Sequence, residues 1–292
     1  MLIPAGARVT PLALKVHQEP QADWYEQARL VLRGRDGGEH GKLLYSLIRE
    51  RQAYGRKVVA LDIGTARGFS AITMSRALLD ADLDGHVYTM DVIDHDDAYD
   101  WHAAKHSSDD PLADGPSPRS AIWKRWFPDE TTRITSINGR STRLLRDWPH
   151  GRIDVAFLDG SHAYDDVKAE LDMLDAIMAD DGVIVLDDVH FGVVIGRVRS
   201  RAVSVLAWLV LGTLRKVIPK AQFHNARLGV GAEYAIVERR FTGIRKAVEQ
   251  FIAENGRDWS IELVPMPRRG AYQTGDYALA VLTRQRGDGM RT

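Results

Sequence analysis

The sequence predicts an α/β fold: a doubly wound, mostly parallel sheet that ends in an antiparallel strand pair. Three observations carry this expectation. Short, nearly continuous apolar runs such as KVVALDIG and IDVAFLDG suit strands buried on both faces, as in parallel sheets. Helical patterns lie between such runs, which is the rhythm of βαβ units. The last two apolar runs, SIELVPM and YALAVLTR, read as a closing antiparallel pair.

The elements follow in order. Residues 1–36 have little periodicity and read as an N-terminal arm, extended or partly helical, ahead of a single domain over 37–292. Residues 42–51 place Leu43, Leu44, Leu47 and Ile48 on one helical face. Strands are expected at KVVALDIG, GHVYTMDV, RITSING, IDVAFLDG and GVIVLDDV. The helix between the last two carries Val167, Leu171, Leu174 and Met178 at i, i+4, i+7 and i+11. Residues 244–255 read as a further helix, and no repeat of 20–50 residues is present. Two insertions break the rhythm. Residues 93–130 are long, acidic and His-containing, and loops of this length are usually functional lids or disordered. Trp101, Trp123, Trp126 and Phe127 of this lid are expected to shape a pocket, while His102 and His106 read as a solvated face. The second insertion, 193–240, lacks acidic residues up to position 232 and sets Arg197, Arg199, Arg201, Arg215, Lys216 and Lys220 around an apolar centre.

Bulk composition excludes several classes. The 292 residues are 45% hydrophobic and 27% charged, enough for a sizeable core. A formal net charge of −1 implies no general attraction to nucleic acid. Cysteine is absent, which removes disulfides, thiolate catalysis and cysteine zinc sites. The N-terminus lacks the basic and apolar regions of a signal peptide. The longest apolar stretch, 202–214, is shorter than the ~18 residues a bilayer requires. A cytoplasmic protein is expected.

The candidate site lies at strand ends. The turn DIGTARGFS, with Asp62, Gly64, Ala66, Gly68 and Ser70, lets backbone approach a ligand and offers helix N–H groups. Asp91 ends the second strand, where a carboxylate can accept both ribose hydroxyls of a nucleoside. Ala66 replaces the middle glycine of a dinucleotide turn, which disfavours a pyrophosphate more than a nucleoside without one. Asp159 ends the fourth strand, and Asp187 and Asp188 end the fifth. Three converging carboxylates need compensation, and hard oxygen donors suit Mg²⁺ or another divalent cation. Asp165 and Asp166 read as first-turn helix residues. His162 and His190 are both candidates for a general base.

Together DIGTARGFS, YTMD, FLDGSHAYDDVKAELDML and GVIVLDDV resemble class I S-adenosylmethionine-dependent methyltransferases, a Rossmann-like fold. Within these the chain is similar to the metal-dependent O-methyltransferases of the macrocin O-methyltransferase and cephalosporin hydroxylase-like type, and more distantly to the catechol type. The resemblance implies that Gly64, Ala66, Gly68 and Ser70 line the methionine end of S-adenosylmethionine, that Asp91 holds the ribose and that Ser141 lies near the adenine. It implies that Asp159, Asp187 and Asp188 ligate Mg²⁺. His162 stands at the offset of the catechol-type lysine base, and Ser161 stands where some macrocin-type relatives carry an aspartate. The implied acceptor is a hydroxylated small molecule of sugar or natural-product type.

Two other classes stay open on the residues alone. One is an NAD-dependent oxidoreductase, which would want the missing glycine and has no use for a carboxylate trio. The other is a non-catalytic module that touches a membrane surface through 197–220; that segment equally suits a homo-oligomer contact or a substrate cap.

Overall fold

A computed structural model of the chain describes residues 7–33, 38–101, 115–190, 230–266 and 277–285, with backbone alone for His190, Tyr277 and 230–242. In chain order the elements are β1 (Arg8–Val9), α1 (Ala22–Leu32), α2 (Glu39–Glu50), β2 (Val58–Ile63), α3 (Phe69–Asp80), β3 (Gly85–Asp91), β4 (Ala98–Tyr99), β5 (Ser117–Pro118), α4 (Arg119–Trp126), α5 (Pro128–Thr131), β6 (Ile134–Asn138), α6 (Ser141–Leu144), β7 (Ile153–Leu158), α7 (Tyr164–Ile177), β8 (Met178–His190), α8 (Val230–Asn255), β9 (Trp259–Pro265) and β10 (Tyr277–Arg284). Eight strands form one sheet in the order β1-β9-β10-β8-β7-β2-β3-β6, and β4 pairs with β5 separately. The expected α/β doubly wound sheet is therefore present. The closing pair β9–β10 is antiparallel, and β10 also runs against β8.

Two-sided burial explains the apolar runs. Every residue of β2 and β7 is buried. The strand period of two then divides them between two cores. Val58, Ala60, Val155 and Phe157 pack with α1, α2 and α3. Leu61, Ile63, Ala156 and Leu158 pack with α7, α8 and β9.

The residues 7–33 of the N-terminal arm are woven into this frame. β1 pairs in parallel with β9, and α1 buries Tyr25, Ala28, Val31 and Leu32. Spacing of i, i+3, i+6 and i+7 is a helical face, but it is too short to stand out beside the preceding irregular stretch. Met178 opens β8 instead of ending α7, with φ −69° and ψ 149°. It is fully buried in either role, so burial alone could not separate helix from strand. Within the lid, Trp123 and Phe127 are core residues. Positions 102 and 106, and the basic stretch 197–220, lie outside the described residues.

Candidate active site

The site grows from two neighbouring strand ends. Ile63 of β2 lies opposite Leu158 of β7, so Gly64 and Asp159 meet just beyond them. Here the strand order reverses, with β3 and β6 on one side of β2 and β7 on the other. Open α/β sheets take ligands in this crevice. Gly64 has φ +92°, and a Cβ there would lie 2.4 Å from the Asp159 carbonyl oxygen. Only glycine tolerates both the left-handed backbone and that approach. The turn stays left-handed at Ala66 and Gly68, with φ +46° and +95°. A Cβ on Gly68 would strike the Trp123 indole, whose Nε1–H donates to the Arg67 carbonyl at 2.8 Å.

In front of this turn lies a cleft of about 770 Å³. Of the residues singled out in the sequence, Gly64, Ala66, Asp91, Ser141 and Asp159 line it, together with Asp166 and, from the lid, Trp101. Asp62, Gly68 and Ser70 are not in its wall. The period of two puts Asp62 on the Val58 and Ala60 side of β2, beneath α3. There Ser70 Oγ–H donates to Asp62 Oδ1 at 2.6 Å and Thr89 Oγ1–H donates to Oδ2 at 2.7 Å. Burial pushes the Asp62 carboxyl up to about 6, against the pull of these two donors. Asp62 and Ser70 thus brace the turn from behind.

Asp91 faces the cleft, already holding three donors. Its Oδ2 accepts Ala66 N–H at 2.8 Å and Arg119 Nη2–H at 3.0 Å, and its Oδ1 accepts Ile93 N–H at 2.9 Å. Ser141 opens α6, and its hydroxyl donates to the carboxylate of Glu170. Glu170 is buried on α7, and burial pushes its carboxyl up to about 7. Asp166 is tied to the site by Ser161 Oγ–H, which donates to its Oδ2 at 2.6 Å.

At one end of the cleft Asp159, His162 and Asp188 offer ligand atoms that all lie within 4.8 Å of one another. His162 Nδ1 stands 3.7 Å from Asp188 Oδ2. Asp188 has φ +56°, a left-handed kink that turns the end of β8. Asp187 does not belong to this group of three. Successive strand residues point to opposite faces, and Asp187 is buried with Oδ2 4.0 Å from His40 Nδ1 and Oδ1 accepting Asp188 N–H at 2.8 Å. Its charge still acts: burial first, then the Asp187 carboxylate, raises Asp159 well above the usual carboxylate range. Arg33, at the end of α1, opposes this from 3.8 Å. His190 ends β8 opposite Tyr277, and its side chain lies outside the described residues.

Residues 61–189, from β2 to the end of β8, match the family model described as a methyltransferase domain. That segment, rather than the whole chain, is what resembles a methyltransferase domain. Solved structures are similar at low identity. The O-methyltransferase NovP is 12% identical over 89% of this chain and 88% of its own, with a TM-score of 0.50. An O-methyltransferase from Bacillus cereus in complex with SAH is 17% identical over 93% of this chain and 95% of its own, with a TM-score of 0.49. TomG from Streptomyces achromogenes, in complex with SAM, is 18% identical over 97% of this chain and 99% of its own, with a TM-score of 0.48. No curated protein matches the chain. Among the described residues no helix is long and apolar enough to cross a membrane.

Sequence reasoning missed Arg33, Arg119 and Glu170. Glu170 had a visible signal, since it falls on the Val167, Leu171 and Leu174 face as the one acid among apolar side chains. Arg33 and Arg119 had none, because each reaches the site from an element remote in sequence.

Proposed function

We propose that the protein transfers a methyl group from S-adenosylmethionine to a hydroxyl of a small molecule, of sugar or natural-product type, beside a divalent cation such as Mg²⁺. The position of Asp159 carries this reading. Asp159 lines the cleft of about 770 Å³ and is one corner of the cluster with His162 and Asp188. Two carboxylates and an imidazole fit a divalent cation, which would relieve the repulsion Asp159 feels from Asp187 and Asp188. The donor supplies an electrophilic methyl, and a cation held by Asp159, His162 and Asp188 supplies the charge that acidifies a hydroxyl.

The chain's own residues do the rest. Gly64 and Ala66 let the turn approach the nucleoside, and Asp91 accepts from its ribose. Trp101 closes part of the cleft against water. His162 either helps hold the cation or takes the hydroxyl proton, both of them roles that histidine commonly fills.

A second reading rests on Arg33. Its guanidinium, 3.8 Å from Asp159 Oδ2, supplies positive charge without a metal and assigns His162 the role of base. Calorimetric titration with S-adenosylmethionine, and separately with Mg²⁺ and Mn²⁺, tests both. The first reading expects cofactor binding in the wild type and in Asp188→Ala, with cation binding lost in the variant. Cofactor binding without any cation response supports the Arg33 reading, and no cofactor binding refutes both.

A further inference from the structure

The lid helix α4 sends a buried cation into the cofactor turn. Arg119 is 0% exposed, although arginine is almost never fully buried unless paired. Its Nε–H donates to the Ala66 carbonyl at 2.6 Å and its Nη2–H to Asp91 Oδ2 at 3.0 Å. The guanidinium sits 5.7 Å from the centroid of the Trp101 ring. Its Nη1 is buried with no hydrogen-bond partner among the described residues, a cost that native structures seldom carry. A second tie runs the other way: Arg67 Nη2–H donates to the Trp101 carbonyl at 2.7 Å.

The acceptor capacity of Asp91 is limited. Each carboxylate oxygen has two lone pairs. Ala66 N–H and Arg119 Nη2–H fill Oδ2 of Asp91, and Ile93 N–H takes one of the two on Oδ1. One acceptor position remains, so the carboxylate cannot take both hydroxyls of a ribose while Arg119 stays in place.

We propose that Arg119 is a positioning residue for the nucleoside: it locks Asp91 to the turn after β2 and leaves that carboxylate a single acceptor, for one ribose hydroxyl. The inference rests on the S-adenosylmethionine reading above. It makes the lid a part of the cofactor site, because the residue that orders the ribose acid is carried on the lid and clamped over a lid tryptophan.

The test measures S-adenosylhomocysteine affinity by calorimetry in the wild type, Arg119→Met, Asp91→Asn and the double variant. Thermal unfolding is followed in parallel. Losing one fixed bond to a charged group predicts weakening of about tenfold in Arg119→Met. An action through Asp91 predicts that the double variant binds within about threefold of Asp91→Asn alone. A purely structural Arg119 would lower the unfolding temperature and leave the affinity of the folded variant unchanged, or would add its full effect to that of Asp91→Asn. Either result overturns the proposal. Should Arg119→Met not fold, a crystal structure of the wild type with S-adenosylhomocysteine decides. It is expected to keep Arg119 Nη2 within about 3.2 Å of Asp91 Oδ2, with one ribose hydroxyl on Oδ1. Both hydroxyls on Asp91 with Arg119 turned away would overturn it. A wild type that binds no S-adenosylhomocysteine removes the cofactor reading itself, which separates that failure from a failure of Arg119.

Discussion

Replacing Gly64 by alanine tests the closest approach in the site, and Gly55 supplies the control. Both glycines are left-handed, with φ +92° and +61°. A Cβ on Gly55 meets nothing within 4 Å, whereas one on Gly64 lies 2.4 Å from Asp159 O, 2.6 Å from Asp159 C and 2.7 Å from Gly160 Cα. Gly55→Ala therefore carries only the left-handed backbone cost, about 1 kcal/mol. Gly64→Ala adds overpacking of about 1–3 kcal/mol against backbone that cannot rotate away. At about 2–3 °C per kcal/mol for a chain of this size, Gly55→Ala should lower Tm by about 2–3 °C and Gly64→Ala by about 4–12 °C. Relieving the clash moves the Asp159 backbone by about 1 Å, enough to cost a site on the order of 100-fold. Circular dichroism melts and calorimetric titration with S-adenosylhomocysteine read both effects. Equal melting shifts in the two variants, or wild-type ligand affinity in Gly64→Ala, would refute the argument that β2 and β7 meet through this contact.

Other outcomes follow from buried charge. The folded pKa of Glu170, about 7, lies above its ordinary value of 4.5. Its contribution is therefore fully present below pH 4.5 and lost as pH rises through 7. Glu170→Gln should abolish this slope and, at pH 8, stabilise the protein by up to about 3 kcal/mol relative to the wild type, measured by urea unfolding across pH. A variant whose stability keeps the wild-type pH slope contradicts the assignment. Ser70→Ala removes a donor from buried Asp62, whose folded carboxyl already sits at about 6. The variant should lose about 1–2 kcal/mol, more at pH 8 than at pH 5, because the ionised form is the one deprived. Arg56 bridges buried Asp154 at 2.5 Å and Asp181 at 2.8 Å. Since the Arg56 side chain is 40% exposed, Arg56→Met should cost only about 1–2 kcal/mol at pH 8, below the penalty for breaking a fully buried pair. No measurable loss in thermal unfolding would show that Asp154 does not depend on Arg56.

The sequence by itself determined the sheet apart from its edge strand β1, and the identity of most strand-end groups. The signals are local: VVALDI and IDVAFL are apolar throughout because helices cover both faces, and Gly64, Asp91 and Asp159 fall where such strands must stop. A period of two or 3.6 is a property of consecutive residues, so it survives in a single chain read end to end. Tertiary structure decided the rest. Asp187 and Asp188 are adjacent letters with equal chemistry, yet strand pleating and a left-handed residue place one beside His40 and the other beside His162. Arg33 and Arg119 arrive from the end of α1 and from the lid, elements whose docking depends on the whole core. Which carboxylate shares its charge with an arginine depends on distances across the sheet edge. Coulombic and hydrogen-bonded partners are set by proximity in space, and spacing along the chain does not encode that for contacts this remote.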